Sequence, residues 1–289
     1  MSNRLVGVAV ALAAVFAVLL PMQGLTAGQA SVATTPAYTP PRTPDGQPLM
    51  QGIWQPVPGG SYSINDTRLG ALGGGVLTPQ LAELIRTEKP ISRVLDPPDG
   101  TIPYQPWAAA QFKIFDDVRG DPPPKLLDPV GRCVVQGVPR HAYQGEFEVF
   151  QPPGYVVFLI SKVHQYRIIP LDDRPFVGKD IPLYMGDGRG HWEGNSLVVN
   201  SRNFTNKTWF DIVGNFHTDA MTLVERFTLV DPDRIDYQVT ITDPKAFTRP
   251  WTIGARLSHN KEKGYEIWEE ACHEGERWST KHLVPGSAR

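Results

Sequence analysis

Two runs in the second half of the chain alternate apolar and polar residues with a period of two. In Ala220–Val230, Met221, Leu223, Glu225, Phe227 and Leu229 share one face; Thr222, Arg226 and Thr228 share the other, with Val224 as the exception. In the next run Ile235, Tyr237, Val239 and Ile241 oppose Asp236, Gln238 and Thr240. Successive strand side chains point to opposite faces, so each run commits one face to a core. The turn Asp231–Pro232–Asp233 between them predicts a hairpin.

Further strands are expected over Tyr155–Ile160, Tyr166–Ile169, Ser196–Asn200, Trp251–Leu257 and Tyr265–Ala271, with a first short one over Pro48–Trp54. The 28 prolines and 27 glycines fit strands joined by turns better than packed helices. Short helices are expected from Pro79 to about Lys89 and over Pro106–Val118. The predicted architecture is mainly β: an antiparallel, lipocalin-like β-barrel or strongly curved sheet under an irregular, partly helical N-terminal cap.

The first residues read as a secretory signal. Arg4 precedes an apolar run, Leu5–Leu20, then Pro21, with small residues for cleavage near Ala27, Ala30 or Ala33. The expected organisation is a signal peptide over 1–30, a Pro/Thr/Ala-rich linker over 31–47 and one barrel domain over 48–289, its cap spanning 48–140. This implies a periplasmic or secreted protein with no membrane attachment after cleavage. The two cysteines, Cys133 and Cys272, are then expected to pair in an oxidising compartment, with two buried thiols as the alternative. A net charge of −2 gives no electrostatic case for nucleic acid. No P-loop, dinucleotide fingerprint, nucleophile elbow or metal-ligand spacing occurs, so neither an organic cofactor nor a metal is expected.

Glu225 is a carboxylate on the apolar face of a strand. Such a group is paired, protonated or at work. It reads either as a general acid or base, or as one half of an ion pair with an inward arginine such as Arg167 or Arg140. His217 and Asp219, two apart in an extended segment, are candidates for an oriented base. His164 and Tyr166 are expected to share the face of Phe158 and Ile160 if no bulge intervenes, with His164 as acid. Arg140 and Arg167 are candidates to hold substrate. The corner Gly186–Asp187–Gly188–Arg189–Gly190–His191–Trp192–Glu193–Gly194 sets Asp187, Arg189, Trp192 and Glu193 among glycines, where charged side chains can be aimed into a concave surface. Trp251 joins them as an aromatic wall, or else packs the core.

Several stretches together resemble a large family of exported bacterial proteins. They include Gln51–Gly52–Ile53–Trp54, Gly137–Val138–Pro139–Arg140, Arg167–Ile168–Ile169–Pro170, Gly186–Asp187 with Arg189–Gly190 and Trp192–Glu193–Gly194, Val224–Glu225–Arg226–Phe227–Thr228, Thr248–Arg249–Pro250–Trp251 and Ala271–Cys272–His273–Glu274–Gly275. The chain departs from that pattern at His191, Asn195 and Glu276–Arg277. The resemblance implies export and names no chemistry.

The residues alone point first to a cofactor-independent lyase or isomerase. Its barrel would hold a small apolar or aromatic molecule, with Glu225, His164, His217, Asp219 and Tyr166 in the acid–base work. The alternatives are a non-catalytic small-ligand-binding barrel and a carbohydrate-active enzyme.

Overall fold

The computed structural model describes residues 38–60, 62–67, 91–118, 122–163, 165–270 and 272 of the 289. The expected signal peptide, the helix over 79–89, His164, His273 and Glu274 lie outside the described residues. The elements in chain order are β1 (Gly52–Pro56), β2 (Val94–Asp96), α1 (Pro106–Val118), α2 (His141–Gln144), β3 (Phe147–Phe150), β4 (Tyr155–Ile160) and β5 (Gln165–Pro170). They continue with β6 (Asp187–Glu193), β7 (Ser196–Arg202), β8 (Thr222–Asp231), β9 (Arg234–Thr242) and β10 (Trp251–Asn260).

One antiparallel sheet runs β5-β4-β3-β1-β10-β9-β8-β7-β6, with β2 paired to β10 off that path. It curls almost into a barrel and leaves one unsealed seam, between β5 and β6. The alternation in β8 and β9 reads out as expected: Leu223, Glu225, Phe227 and Leu229 are buried, as are Ile235, Tyr237, Val239 and Ile241, while Val224 is exposed. The hairpin register sets Glu225 opposite Val239 and Phe227 opposite Tyr237. The core is dense with large rings. Trp54, Phe147, Phe158, Phe227, Tyr237 and Trp251 are each at most 1% exposed, and burying such a side chain contributes about 1.5–3 kcal/mol.

The glycines of β6 have a packing reason. Gly188 and Gly190 sit on the inner face of β6, opposite Ser201 and Val199. A Cβ on Gly188 would stand 2.7 Å from Ile169 Cδ1, and one on Gly190 2.7 Å from Ile169 Cγ2 and 2.9 Å from Leu171 Cδ2. The side chains at and beyond the end of β5 therefore reach under β6 and fill the seam from inside. Larger residues on β6 would hold the two edges apart.

The sheet differs from expectation in several places, beginning with β2, β3 and β6, which form strands where none was expected. Residues 265–270 form no strand; Glu270 makes a single parallel bridge with Lys162. Both flanks of β10 are taken by β1 and β9, so a segment directly following it has no adjacent edge. The first strand starts at Gly52, and it lies mid-sheet between β3 and β10. The arm ahead of it is tied down from Tyr38 onward. Thr43, Asp45 and Gln47 form a hydrogen-bonded turn, and Asn195 Nδ2 donates to the Tyr38 carbonyl.

Helix α1 occupies the expected Pro106–Val118. Phe115 packs on Trp209 and Phe216, and Trp107 on Phe216, although Trp107 remains half exposed. Cys133 and Cys272 form a disulfide, tying a 3-10 turn at Pro129–Arg132 to the segment beyond β10. Among the described residues no helix is long and apolar enough to cross a membrane.

Candidate functional site

Glu225 projects from β8 into the barrel and is fully buried. Arg167 reaches it from β5: Nη1 donates to Oε1 at 3.0 Å and Nη2 to Oε2. Arg167 Nη2 also donates to Ser201 Oγ on β7 at 2.8 Å, and Tyr237 OH on β9 donates to Glu225 Oε1 at 3.0 Å. Of the two readings left open for Glu225, the structure supplies the ion pair, with Arg167 as its partner. The carboxylate accepts three hydrogen bonds in a fork geometry typical of strong Arg–carboxylate pairs. Burial, then the neighbouring Glu225, push the Tyr237 hydroxyl well above its ordinary range, so it stays a donor.

His141 in α2 stands beside this network. Its ring lies 6.0 Å from Phe158 and 6.2 Å from Phe147, centroid to centroid. Burial, and then the positive charge of Arg167, hold its pKa well below the ordinary histidine value, so the ring is neutral at neutral pH. Neither ring nitrogen makes a hydrogen bond of normal geometry. The sequence analysis did not single out His141; a histidine directly after a buried arginine carries no periodic signal of its own.

The remaining predicted residues are dispersed. Arg140 is fully buried and bidentate to Asp128 at 2.8 Å on both arms, so it holds the loop at Pro129–Arg132 and is not open to a substrate carboxylate. His217 is buried between Thr208 Oγ1 at 2.8 Å and the Thr218 carbonyl at 3.0 Å, and burial lowers its pKa. Asp219 faces solvent and pairs with Lys245 at 2.7 Å. The two do not form a dyad, because Asp243 binds the Thr218 backbone N–H and hydroxyl and turns the chain between them. Tyr166, 67% exposed, lies on the outside of the barrel. The register Ile160↔Gln165 puts Arg167 opposite the inward Phe158, and Tyr166 opposite the outward Leu159. Trp251 is in the core against Phe210 and Phe247. Trp192 packs against the core and donates to Gln47 Oε1 at 3.3 Å.

The glycine corner on β6 does build a concave surface, on the outside of the seam. Asp187 accepts from the Val177 N–H at 2.7 Å and pairs with Arg189. Arg189 donates to the carbonyls of Arg174 at 3.1 Å and Pro175 at 2.6 Å. These bonds fold the 171–177 loop back along β6. Between them opens a groove of about 380 Å³, lined by Leu171, Asp173, Phe176, Gly190, His191 and Asn200, with Asp172, Arg174 and Arg189 on its walls. Arg174 is neutralised by Asp172 and also donates to Tyr155 OH at 2.8 Å. Glu193 lies beyond the groove, exposed, and bonds to His191 at 3.0 Å and to Arg226. The turn Asp172–Asp173–Arg174–Pro175, to which the sequence analysis assigned no role, supplies one wall. Among the described residues no group of three or more His, Cys, Asp or Glu is placed to hold a metal ion.

Neither models of known protein families nor curated proteins give a match to this chain.

Proposed function

We propose that the chain is an exported barrel that binds a small molecule in the groove outside the β5–β6 seam. The observation that carries this reading is the groove itself. It is an open concavity of about 380 Å³, within the range of small-ligand sites, and its construction accounts for Asp187 and Arg189 of the motif-like corner. The barrel interior offers the described residues less room: its rings are packed, and Glu225 is engaged by Arg167 and Tyr237. Base catalysis at Glu225 would require the carboxylate to leave a buried arginine, at several kcal/mol. Binding without covalent change therefore ranks ahead of the lyase or isomerase reading.

Export is supported by the Cys133–Cys272 bridge, which suits an oxidising compartment, by the leader-like N-terminal sequence and by the resemblance to exported proteins. With Arg174 and Arg189 already neutralised and the Asp173 carboxylate in the lining, the groove suits a polar ligand without negative charge.

The test is mass spectrometry of small molecules retained by the purified protein from an extract of plant-derived aromatics and sugars. A His191→Ala/Asn200→Ala variant, altered only at exposed groove positions, is run beside it. A compound held unchanged by the wild type and lost by the variant is the expected result. A compound consumed, with a product appearing, would replace binding by catalysis; retention of nothing, or equal retention by both, would remove the groove as the site.

A further inference from the structure

The outer surface of the barrel is of two kinds. On β8 and β9, apart from Val224, the outward positions are polar, among them Arg226, Thr228, Asp236 and Gln238, as suits strands with one face in water. β4 departs from that pattern. It is apolar at every position from Tyr155 to Ile160, as strands buried on both faces are. Val156, Phe158 and Ile160 are in the core, yet Leu159 on the other face stands open. β5 is inverted: Gln165 and Arg167 are buried, while Tyr166 and Ile168 are exposed.

The strand registers join these outward side chains into one patch. Glu148 on β3, Leu159 on β4 and Tyr166 on β5 form one row, and Phe150, Val157 and Ile168 form the next. Phe150 is 42%, Leu159 40%, Tyr166 67% and Ile168 51% exposed. At about 150–250 Å² for a large side chain, these fractions leave roughly 300–500 Å² of apolar surface open on one face. Surfaces of this kind mark sites of association. Of the six side chains only Glu148 is charged, and neither it nor the Tyr166 hydroxyl has a hydrogen-bond partner among the described residues. None of the six lines the groove outside the seam.

We propose that a second copy of the chain docks on this face, in an isologous dimer whose twofold axis runs along β4. Two such faces bring together roughly 600–1,000 Å² of apolar surface. Interfaces are about 56–65% apolar, so the whole contact comes to about 1,000–1,700 Å², the size of a specific pair of protein surfaces. Packed sheets lie about 10 Å apart with their strands nearly aligned. An axis midway between them, along β4, carries β3 of one copy over β5 of the other and keeps each row level. Leu159 then meets Leu159 of the partner subunit, and Phe150 meets the partner's Ile168. The Tyr166 hydroxyl meets the partner's Glu148, so the one charge in the face gains a donor and the hydroxyl an acceptor. A lipid surface fits this face less well. The bordering basic groups, Lys162 and Arg174, are paired with Glu270 and Asp172, and the charge left unpaired is an acid.

Sedimentation equilibrium of the full chain tests this, with wild type expected to be a dimer at tens of micromolar. Leu159→Glu sets two carboxylates face to face at the axis. It should weaken dimerisation by about a hundredfold or more and keep the unfolding midpoint. Gln238→Glu, an equal charge at an exposed position on the polar half, should leave the dimer intact. Tyr166→Glu and Tyr166→Lys read the axis. The first meets Glu148 of the partner subunit as a like charge and should break the dimer; the second meets it as an opposite charge and should keep it. Tyr166 is the most exposed of the set, so this pair also serves if Leu159→Glu fails to fold. A wild type that is monomeric at these concentrations overturns the dimer. Flotation of that monomer with phosphatidylglycerol vesicles, lost in Leu159→Glu, would give the face to a lipid surface. Resistance of Tyr166 to iodination in that monomer would give it to another segment of the chain. A dimer that survives Leu159→Glu uses a different face, and equal effects of the two Tyr166 variants overturn the axis along β4.

Discussion

Arg167 on β5 and Glu225 on β8 meet inside the barrel across the two strands that separate them, β6 and β7, with Ser201 of β7 bonded to the arginine on the way. No backbone ladder joins β5 to β6 in the sheet order. The ion pair therefore acts as an internal cross-tie over the seam.

The cross-tie makes Glu225→Gln a folding variant. Loss of the carboxylate leaves a guanidinium buried without its counter-charge, which costs about 3–5 kcal/mol when one partner of such a pair is removed. Chemical denaturation should show a loss of that order. The Arg167→Met/Glu225→Leu double variant should recover most of it, because no unpaired charge remains. A Glu225→Gln protein as stable as wild type would mean that Arg167 is not held by this carboxylate.

Replacing glycine by alanine inside a strand ordinarily stabilises it. Gly190→Ala should do the opposite, by about 1–3 kcal/mol, because its Cβ would stand 2.7 Å from Ile169 Cγ2. Combining it with Ile169→Ala should give a destabilisation smaller than the sum of the two single changes. Simple additivity in that double-mutant cycle would show that the seam is not packed through this contact.

Asp211 gives the clearest pH signature. Burial pushes its carboxyl up from 3.8 to about 6, even though the Ile64, Gly214 and Asn215 N–H groups donate to it. Between those two values the folded state holds a proton that the unfolded state has released. The contribution to stability is therefore complete below the unfolded value and is lost as pH rises through about 6. His141 and His217, lowered by burial, act in the opposite sense as pH falls below the ordinary histidine value, so total stability mixes the three. The difference between wild type and Asp211→Asn isolates one. Wild type should lose ground relative to the variant by about 1.4 kcal/mol per pH unit at the steepest, and a pH-independent difference would refute the raised pKa.

Asp219→Ala should leave the unfolding midpoint and any ligand retention unchanged, since the carboxylate pairs only at the surface with Lys245. A loss of binding in this variant, at unchanged stability, would revive its partnership with His217.

What the sequence disclosed follows from which forces are local. The period of two in β8 and β9 and the aromatic run in α1 reflect neighbours a few residues apart, and those elements were legible nearly to their ends. The cysteine pairing was legible because only one pair exists. Tyr166 was misplaced because parity across a turn is set by the turn. The 160↔165 register inverts the inward set from even positions in β4 to odd ones in β5. The partner of Arg140, Asp128, and the capture of Thr218 by Asp243 are contacts between loops, which no periodicity encodes. The glycines of β6 were noticed for the right stretch and a different reason: they make room for Ile169 and Leu171 as well as aiming charged side chains.

The strand order also constrains how the molecule can be made. From β6 onward each strand pairs with the next, so that half of the sheet assembles from local hairpins, while β1 waits in the middle for a partner at the far end of the chain: Trp54 lies opposite His259. Contacts of such span close late and slowly. Synthesis runs from the N-terminus, so the growing chain carries β1 and the β3–β5 meander with one flank open until β10 has emerged. For that interval the chain presents an unpaired edge at its own centre, and it needs protection most just before β10 emerges.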